Sequence, residues 1–209
     1  MRGPWAADGV GGTAPLVGAR HEAAVRMLHT VCRVLDAGAV PYVLEAGTLL
    51  GVVREQRLLP WDTDVDITVP AEHVDALLAL RPELWRAGYR TRLRHHRQAQ
   101  GPFREGMPRL LKVQTRRWGW FKGESLLDVF IKWRADDAYH WVVGDRTPMW
   151  KQTPAHFYGQ RTRRHFDGYD FLVPADAEGY LAYHYGPDWR TPVTTWDYLH
   201  DDHCVKVPL

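Results

Sequence analysis

Between residues 20 and 37, apolar side chains recur at Ala24, Met27, Leu28, Val31, Val34 and Leu35. Steps of three and four predict an amphipathic helix, and Gly38 is its natural stop. Residues 41–46, centred on Tyr42-Val43-Leu44, read as a short buried strand, and residues 48–56 as a second helix. Leu59-Pro60-Trp61 then turns the chain into an alternating segment in which Asp64 and Asp66 share one face while Val65 and Ile67 point into the core. Pro70 ends that strand, and residues 71–87 resume a helical pattern through Val74, Leu77, Leu78, Leu80 and Leu84.

Alternation returns at residues 89–97, where Arg90, Arg92, Arg94, His95, His96 and Arg97 make a strongly basic strand. Such charge guards an exposed sheet edge or attracts an anionic substrate. After a loop, residues 109–115 read as another strand, followed by a glycine-containing turn with Trp118, Trp120 and Phe121. Residues 125–133 form an apolar strand with one carboxylate, Asp128, embedded in it. A carboxylate buried without a partner is costly, so Asp128 needs a hydrogen-bond donor, a cation or a metal. Short strands follow at residues 139–143 and 166–173, the latter with an Asp167-Gly168 hairpin signal, then a helix at residues 175–185. Strands interleaved with helices predict an α/β fold.

With 209 residues, 45% of them hydrophobic, the chain suits one domain with a substantial core. Residues 1–18, rich in Gly, Ala and Pro, read as a flexible leader, leaving residues 19–209 as the folded domain. A dinucleotide fingerprint is matched formally at Gly9, Gly11 and Ala14, but no strand precedes it. A formal net charge of +2 does not suggest nucleic-acid binding, and there is no apolar run of membrane-spanning length. The first residues lack the apolar core of a signal peptide, and two cysteines make no disulfide framework, so the cytoplasm is the expected compartment. In the tail, His200, His203 and Cys204 are zinc-type ligands without a second ligand cluster of suitable spacing.

The chemistry gathers between Glu45 and Ile67. Asp62, Asp64 and Asp66 do not form a calcium loop of the EF-hand type, because Ile67 and His73 stand where that loop needs Gly and Glu. Carboxylates on one face repel each other unless a hard cation such as Mg²⁺ neutralises them. Upstream, Gly47 permits close backbone approach, and the amides of Thr48 and Leu49 at a helix start suit a phosphate. A phosphate cradle beside paired carboxylates points to phosphoryl or nucleotidyl transfer.

Gly47-Thr-Leu-Leu-Gly51, Arg54 and Pro60-Trp-Asp-Thr-Asp-Val-Asp-Ile67 resemble the signature of the LicD family, which includes bacterial phosphocholine transferases and fukutin-related ribitol-phosphate transferases. Leu127-Asp128-Val129-Phe130 and the Tyr185-Gly186…Trp189…Pro192 element resemble later family motifs. One departure is Thr63, where bacterial members often carry Asp; that position is expected to face away from Asp64 and Asp66.

The resemblance implies a polymerase-β-like nucleotidyltransferase fold, a small mixed sheet backed by helices. It implies a transferase acting on a nucleotide-diphosphate donor, CDP-alcohols foremost, and an acceptor hydroxyl, small or on a sugar, with release of a nucleoside monophosphate. Asp64, Asp66 and Asp128 would hold Mg²⁺ or Mn²⁺, and Asp128 would also accept the acceptor proton. Gly47, Thr48 and Arg54 would grip the donor phosphates. Asp62 would hold a metal-bound water or cap the loop, and Lys112 and Lys132 would neutralise phosphate or run out to solvent. Nucleotidyl transfer with release of pyrophosphate, and a non-catalytic nucleotide-binding protein, are the alternatives.

Overall fold

A computed structural model describes residues 14–144, 148–193 and 202–208. Helix α1 (Ala19–Ala37) buries Ala24, Met27, Leu28, Val31, Cys32 and Leu35, the stripe expected from the spacing. It is followed by β1 (Val43–Leu44), α2 (Ala46–Arg54) and β2 (Val65–Pro70). A 3-10 turn (Ala71–His73) leads into α3 (Val74–Ala79) and α4 (Arg81–Arg86), and then β3 (Arg90–His95), β4 (Pro108–Arg117) and β5 (Phe121–Ala135). The remainder comprises β6 (Ala138–Val143), β7 (Met149–Pro154), α5 (His156–Gly159), β8 (Arg161–Phe166), β9 (Tyr169–Pro174), α6 (Ala177–Tyr185) and β10 (Val205–Pro208).

Eight strands make one mixed sheet, in the order β1-β2-β5-β6-β7-β10 with β4 and β3 branching from β5. Strand β5 is central. Along Leu127 to Lys132 it pairs in parallel with β2, while β4 runs antiparallel beside it. Every residue from Leu126 to Lys132 is accordingly buried, which explains an apolar run in place of alternation. The α1 helix packs on β5 and α4, α3 on β2, and α2 on β2 and α6. Strands β8 and β9 form a separate hairpin whose turn holds Asp167 and Gly168 at positive φ, as the Asp-Gly signal predicts. Among the described residues no helix is long and apolar enough to cross a membrane.

The helix expected over residues 71–87 is broken at Leu80. Pro82 lacks the N–H that would bond back to Leu78, and its ring would crowd that turn, so it sits in the first turn of α4 instead. The expected strand over residues 41–46 narrows to two residues, because Ala46 already takes a left-handed φ of 45° and starts α2. The tail of the expected leader is held in place. Leu16 is 1% exposed, and its N–H donates to the Asp62 carbonyl at 2.7 Å, so one apolar residue in a Gly/Ala/Pro-rich stretch suffices to dock it. The Gly9 to Ala14 fingerprint, save Ala14, lies outside the described residues, as does His200.

Candidate active site

The short β1 strand delivers Glu45, Ala46 and Gly47 to the mouth of a cavity of about 300 Å³. Ala46 in the left-handed region makes a tight, mildly strained turn, the kind of backbone found at functional sites. Two hydrogen bonds lock this turn to β2: the Glu45 N–H donates to the Asp66 carbonyl at 3.0 Å, and the Asp66 N–H donates to the Thr48 hydroxyl at 2.8 Å. Thr48 is therefore a brace for the backbone of Asp66. It is buried and does not line the cavity, whereas Gly47 does.

A glycine is required at position 47 for a specific reason. A Cβ there would lie 2.2 Å from an Asp62 carboxylate oxygen, so the Asp62 side chain occupies the space that any other residue would fill. Burial pushes the Asp62 carboxyl up to about 7, with Arg54 pulling the other way. Its backbone carbonyl is the one that holds Leu16.

Asp66 and Asp128 are direct partners across the parallel β2–β5 pair, and Asp128 faces Lys112 across the antiparallel β5–β4 pair. Side chains at matched positions emerge on the same face, so a row runs Asp66, Asp128, Lys112 across three strands. The carboxylate oxygens of Asp64, Asp66 and Asp128 lie within 4.8 Å of one another. Burial, then mutual repulsion, raises the Asp64 and Asp66 carboxyls well above the ordinary range, and Lys112 moderates the effect at Asp64. Such a set of hard oxygen donors fits a divalent cation of the Mg²⁺ class. Thr63, expected to face away, instead donates its hydroxyl to Asp64 at 3.3 Å, because the strand and its strict alternation begin only at Val65.

Asp128 is 0% exposed, and the Lys112 ammonium bonds both its oxygens at 2.6 and 3.0 Å. Its side chain is not among those lining the cavity, but its carboxylate lies within 4.8 Å of those of Asp64 and Asp66, which do line it. Lys112 thus pairs with Asp128. Lys132, also 0% exposed, neither reaches solvent nor lines the cavity. Its ammonium meets Glu45 at 3.0 Å and the Tyr158 hydroxyl at 2.7 Å, and lies over the Trp141 ring at 3.6 Å. Arg54 does line the cavity; it is held by Glu55 at 2.6 Å and by the Trp189 carbonyl at 3.1 Å.

The cavity is also lined by Phe130 and Tyr185, which stand in the later motifs, and by Trp141, Lys151, His184 and Asp202, which local sequence patterns do not mark. His184, Asp202 and Cys204 present ligand atoms within 4.8 Å, so Cys204 gathers with His184, not with His203, which is exposed. The Lys151 ammonium already bonds Asp202, and burial pushes the Cys204 thiol up, so this cluster is charge-balanced as a Lys–Asp pair beside a neutral thiol. Glu45 too has a signal in the sequence, a carboxylate closing an apolar run just before the Gly-Thr turn.

A carboxylate trio, with Asp64 just ahead of β2 and Asp66 and Asp128 on the adjacent β2 and β5, beside a helix that starts at a glycine turn, is the arrangement expected of the nucleotidyltransferase class. The LicD/FKTN/FKRP nucleotidyltransferase domain matches residues 39–176, and the chain belongs to this family. It is 26% identical over 183 residues to human ribitol-5-phosphate transferase FKTN, covering 85% of this chain and 35% of that protein. Over a shorter segment of 51 residues it is 45% identical to mouse ribitol 5-phosphate transferase FKRP, covering 24% of this chain and 10% of the relative. An uncharacterized protein of Rickettsia typhi is 26% identical over 155 residues, covering 74% of this chain and 42% of that protein. The chain therefore matches less than half the length of these relatives. Among solved structures, ANT(2")-Ia in complex with adenylyl-2"-tobramycin is similar at a TM-score of 0.46 and 19% identity, covering 84% of this chain and 82% of that one.

Proposed function

We propose that the chain is a metal-dependent transferase. It moves a phosphate-bearing group from a nucleotide-diphosphate donor of the CDP-alcohol type to an acceptor hydroxyl and releases a nucleoside monophosphate. The observation that carries this reading is the convergence of Asp64, Asp66 and Asp128 within 4.8 Å at a cavity edged by the Gly47 turn. When bound there, Mg²⁺ or Mn²⁺ supplies positive charge that offsets the charge building on the leaving phosphate oxygen. Asp64 and Asp66, which line the cavity, would hold the ion. Asp128, bonded by the Lys112 ammonium, would complete the set.

The amides at the start of α2 receive a donor phosphate, favoured by the helix dipole. Arg54 offers a nearby guanidinium to the same charge. The acceptor's proton passes to a nearby carboxylate, Asp128 or the cavity-lining Asp62. The aromatic wall of Trp61, Trp141, Tyr185 and Trp189 packs against the less polar part of donor or acceptor and keeps water from the reacting phosphate. Two free, buried cysteines fit a reducing compartment such as the cytoplasm.

Incubation with Mg²⁺ and a panel of CDP-alcohols and nucleoside triphosphates, each with sugar acceptors, tests the reading. Release of CMP from a CDP-alcohol is the expected result. Release of pyrophosphate from a triphosphate would replace it with nucleotidyl transfer. Nucleotide binding with no turnover on any donor would leave a non-catalytic binding protein.

A further inference from the structure

The β4–β5 hairpin ends in a feature that neither folding nor the cavity uses. Arg117 pairs with Phe121, so Trp118, Gly119 and Trp120 form a three-residue tip. Trp118 is 85% exposed, Trp120 76% and Phe121 65%. Trp118 is also held at a φ of 48°, a region where glycine or asparagine is the comfortable choice and a bulky residue costs stability. Local stability therefore argues against a tryptophan at this position, and its ring gains almost nothing from burial in the protein.

The surroundings are cationic. The stretch from Arg116 to Lys122 carries Arg116, Arg117 and Lys122 and no carboxylate. The Arg116 guanidinium lies over Trp85 at 4.5 Å, Arg117 lies 6.0 Å from the Trp118 ring, and Arg90 donates to the Trp120 carbonyl at 3.1 Å. Trp85, itself 38% exposed, extends the aromatic surface at 6.1 Å from Trp120. The nearest acidic residue along the strand, Glu124, is bonded by Arg20.

We propose that this hairpin tip docks on a lipid bilayer surface carrying anionic headgroups. Tryptophan and phenylalanine on a projecting tip enter the headgroup and upper acyl region, where an amphipathic indole is most stable. The flanking arginines and lysine stay at headgroup level and meet the negative lipids. The tip is convex and outside the cavities of the molecule, which disfavours a small ligand. A second copy of the chain would bring like charges together, which disfavours self-association. Phe121 is seven residues before Asp128 on one continuous strand, so the docked tip lies about 20 Å from the carboxylates.

Vesicle co-sedimentation of the intact chain provides the test. Vesicles of phosphatidylcholine with about 30% phosphatidylserine are compared with phosphatidylcholine alone, at low ionic strength. The chain is expected to partition about tenfold more strongly onto the anionic vesicles, with a blue shift of tryptophan emission. A Trp118→Ser/Trp120→Ser double variant is expected to lose that binding by about tenfold or more at an unchanged melting temperature, because both rings are solvent-exposed. Absence of binding to anionic vesicles, equal binding to both lipids, or undiminished binding by the double variant would each overturn the proposal. So would light scattering that shows a dimer which the double variant renders monomeric, since the tip would then be a self-association surface.

Discussion

At the scale of single residues, the site depends on atoms that are missing as much as on those present. Gly47 leaves room for the Asp62 carboxylate, and a methyl group in its place would sit 2.2 Å from that oxygen. Gly47→Ala is expected to rotate Asp62 out of its seat at a cost of about 1 kcal/mol, while α2 itself forms as well as before. Donor affinity, read by calorimetry, is expected to fall by about tenfold with a melting temperature only slightly lowered. Unchanged affinity would remove the turn from the donor site. His96 carries a different consequence. Its Nε2 is buried without a partner and its ring is stacked on Phe103 at 4.2 Å. Burial, reinforced by Arg109, lowers its pKa to about 4. The unfolded chain therefore binds the proton first, and the native state loses stability as pH falls from about 6.5 towards 4. With allowance for solvent, that loss is about 1 kcal/mol by pH 5. His96→Phe is expected to flatten this part of the pH–stability curve; an equal slope in variant and wild type would show that other groups produce it.

At the scale of elements, the two buried lysines separate the site from its scaffold. Lys112 stands beside Asp128 in the carboxylate row, whereas Lys132 ties β5 to Glu45 and to Tyr158 of α5. Removing either leaves a buried carboxylate without its ammonium, which costs roughly 3–5 kcal/mol. The two are expected to differ in rescue. In Lys112→Met, millimolar Mg²⁺ is expected to restore much of the lost melting temperature, because the cation replaces the ammonium among the carboxylates. In Lys132→Met, Glu45 keeps hydroxyl donors from Thr68 at 2.6 Å and Tyr158 at 3.2 Å, and Mg²⁺ is expected to restore little. Equal rescue of both variants would place Lys132 in the site after all. This contrast also marks what was legible in the sequence. Asp64, Asp66 and Asp128 interrupt apolar strand patterns, and a carboxylate in such a place calls for a partner. The partner's identity is set by cross-strand register, which the sequence does not display, so the expectation for both lysines, phosphate or solvent, names neither Asp128 nor Glu45. The β7 strand escaped for a related reason. Its buried positions include Lys151 and Thr153, so its alternation is of polar residues.

At the scale of the whole molecule, the fold gathers carboxylates beside the central strand of its sheet. Three carboxylates meet at β2 and β5 with the Lys112 ammonium bonded to Asp128, and burial raises Asp64 and Asp66 well above their usual range. The metal-free protein therefore holds repulsion and desolvation that a divalent cation would relieve. Binding to the native state alone stabilises it by about 2.7 kcal/mol at a hundredfold excess over Kd. For a chain of this size that corresponds to roughly 5–10 °C in Tm. Thermal melts in EDTA and in Mg²⁺ are expected to differ by that amount. The Asp64→Asn/Asp66→Asn double variant is the decisive comparison. Without metal it is expected to melt at or above the wild-type temperature, because two costly charges become neutral amides of the same shape. With metal it is expected to gain almost nothing. If the variant melted far below wild type in EDTA, these carboxylates would be structural partners of groups inside the protein. If it retained the full Mg²⁺ response, the ion would be bound elsewhere, and the three-carboxylate centre would be lost as the basis for catalysis.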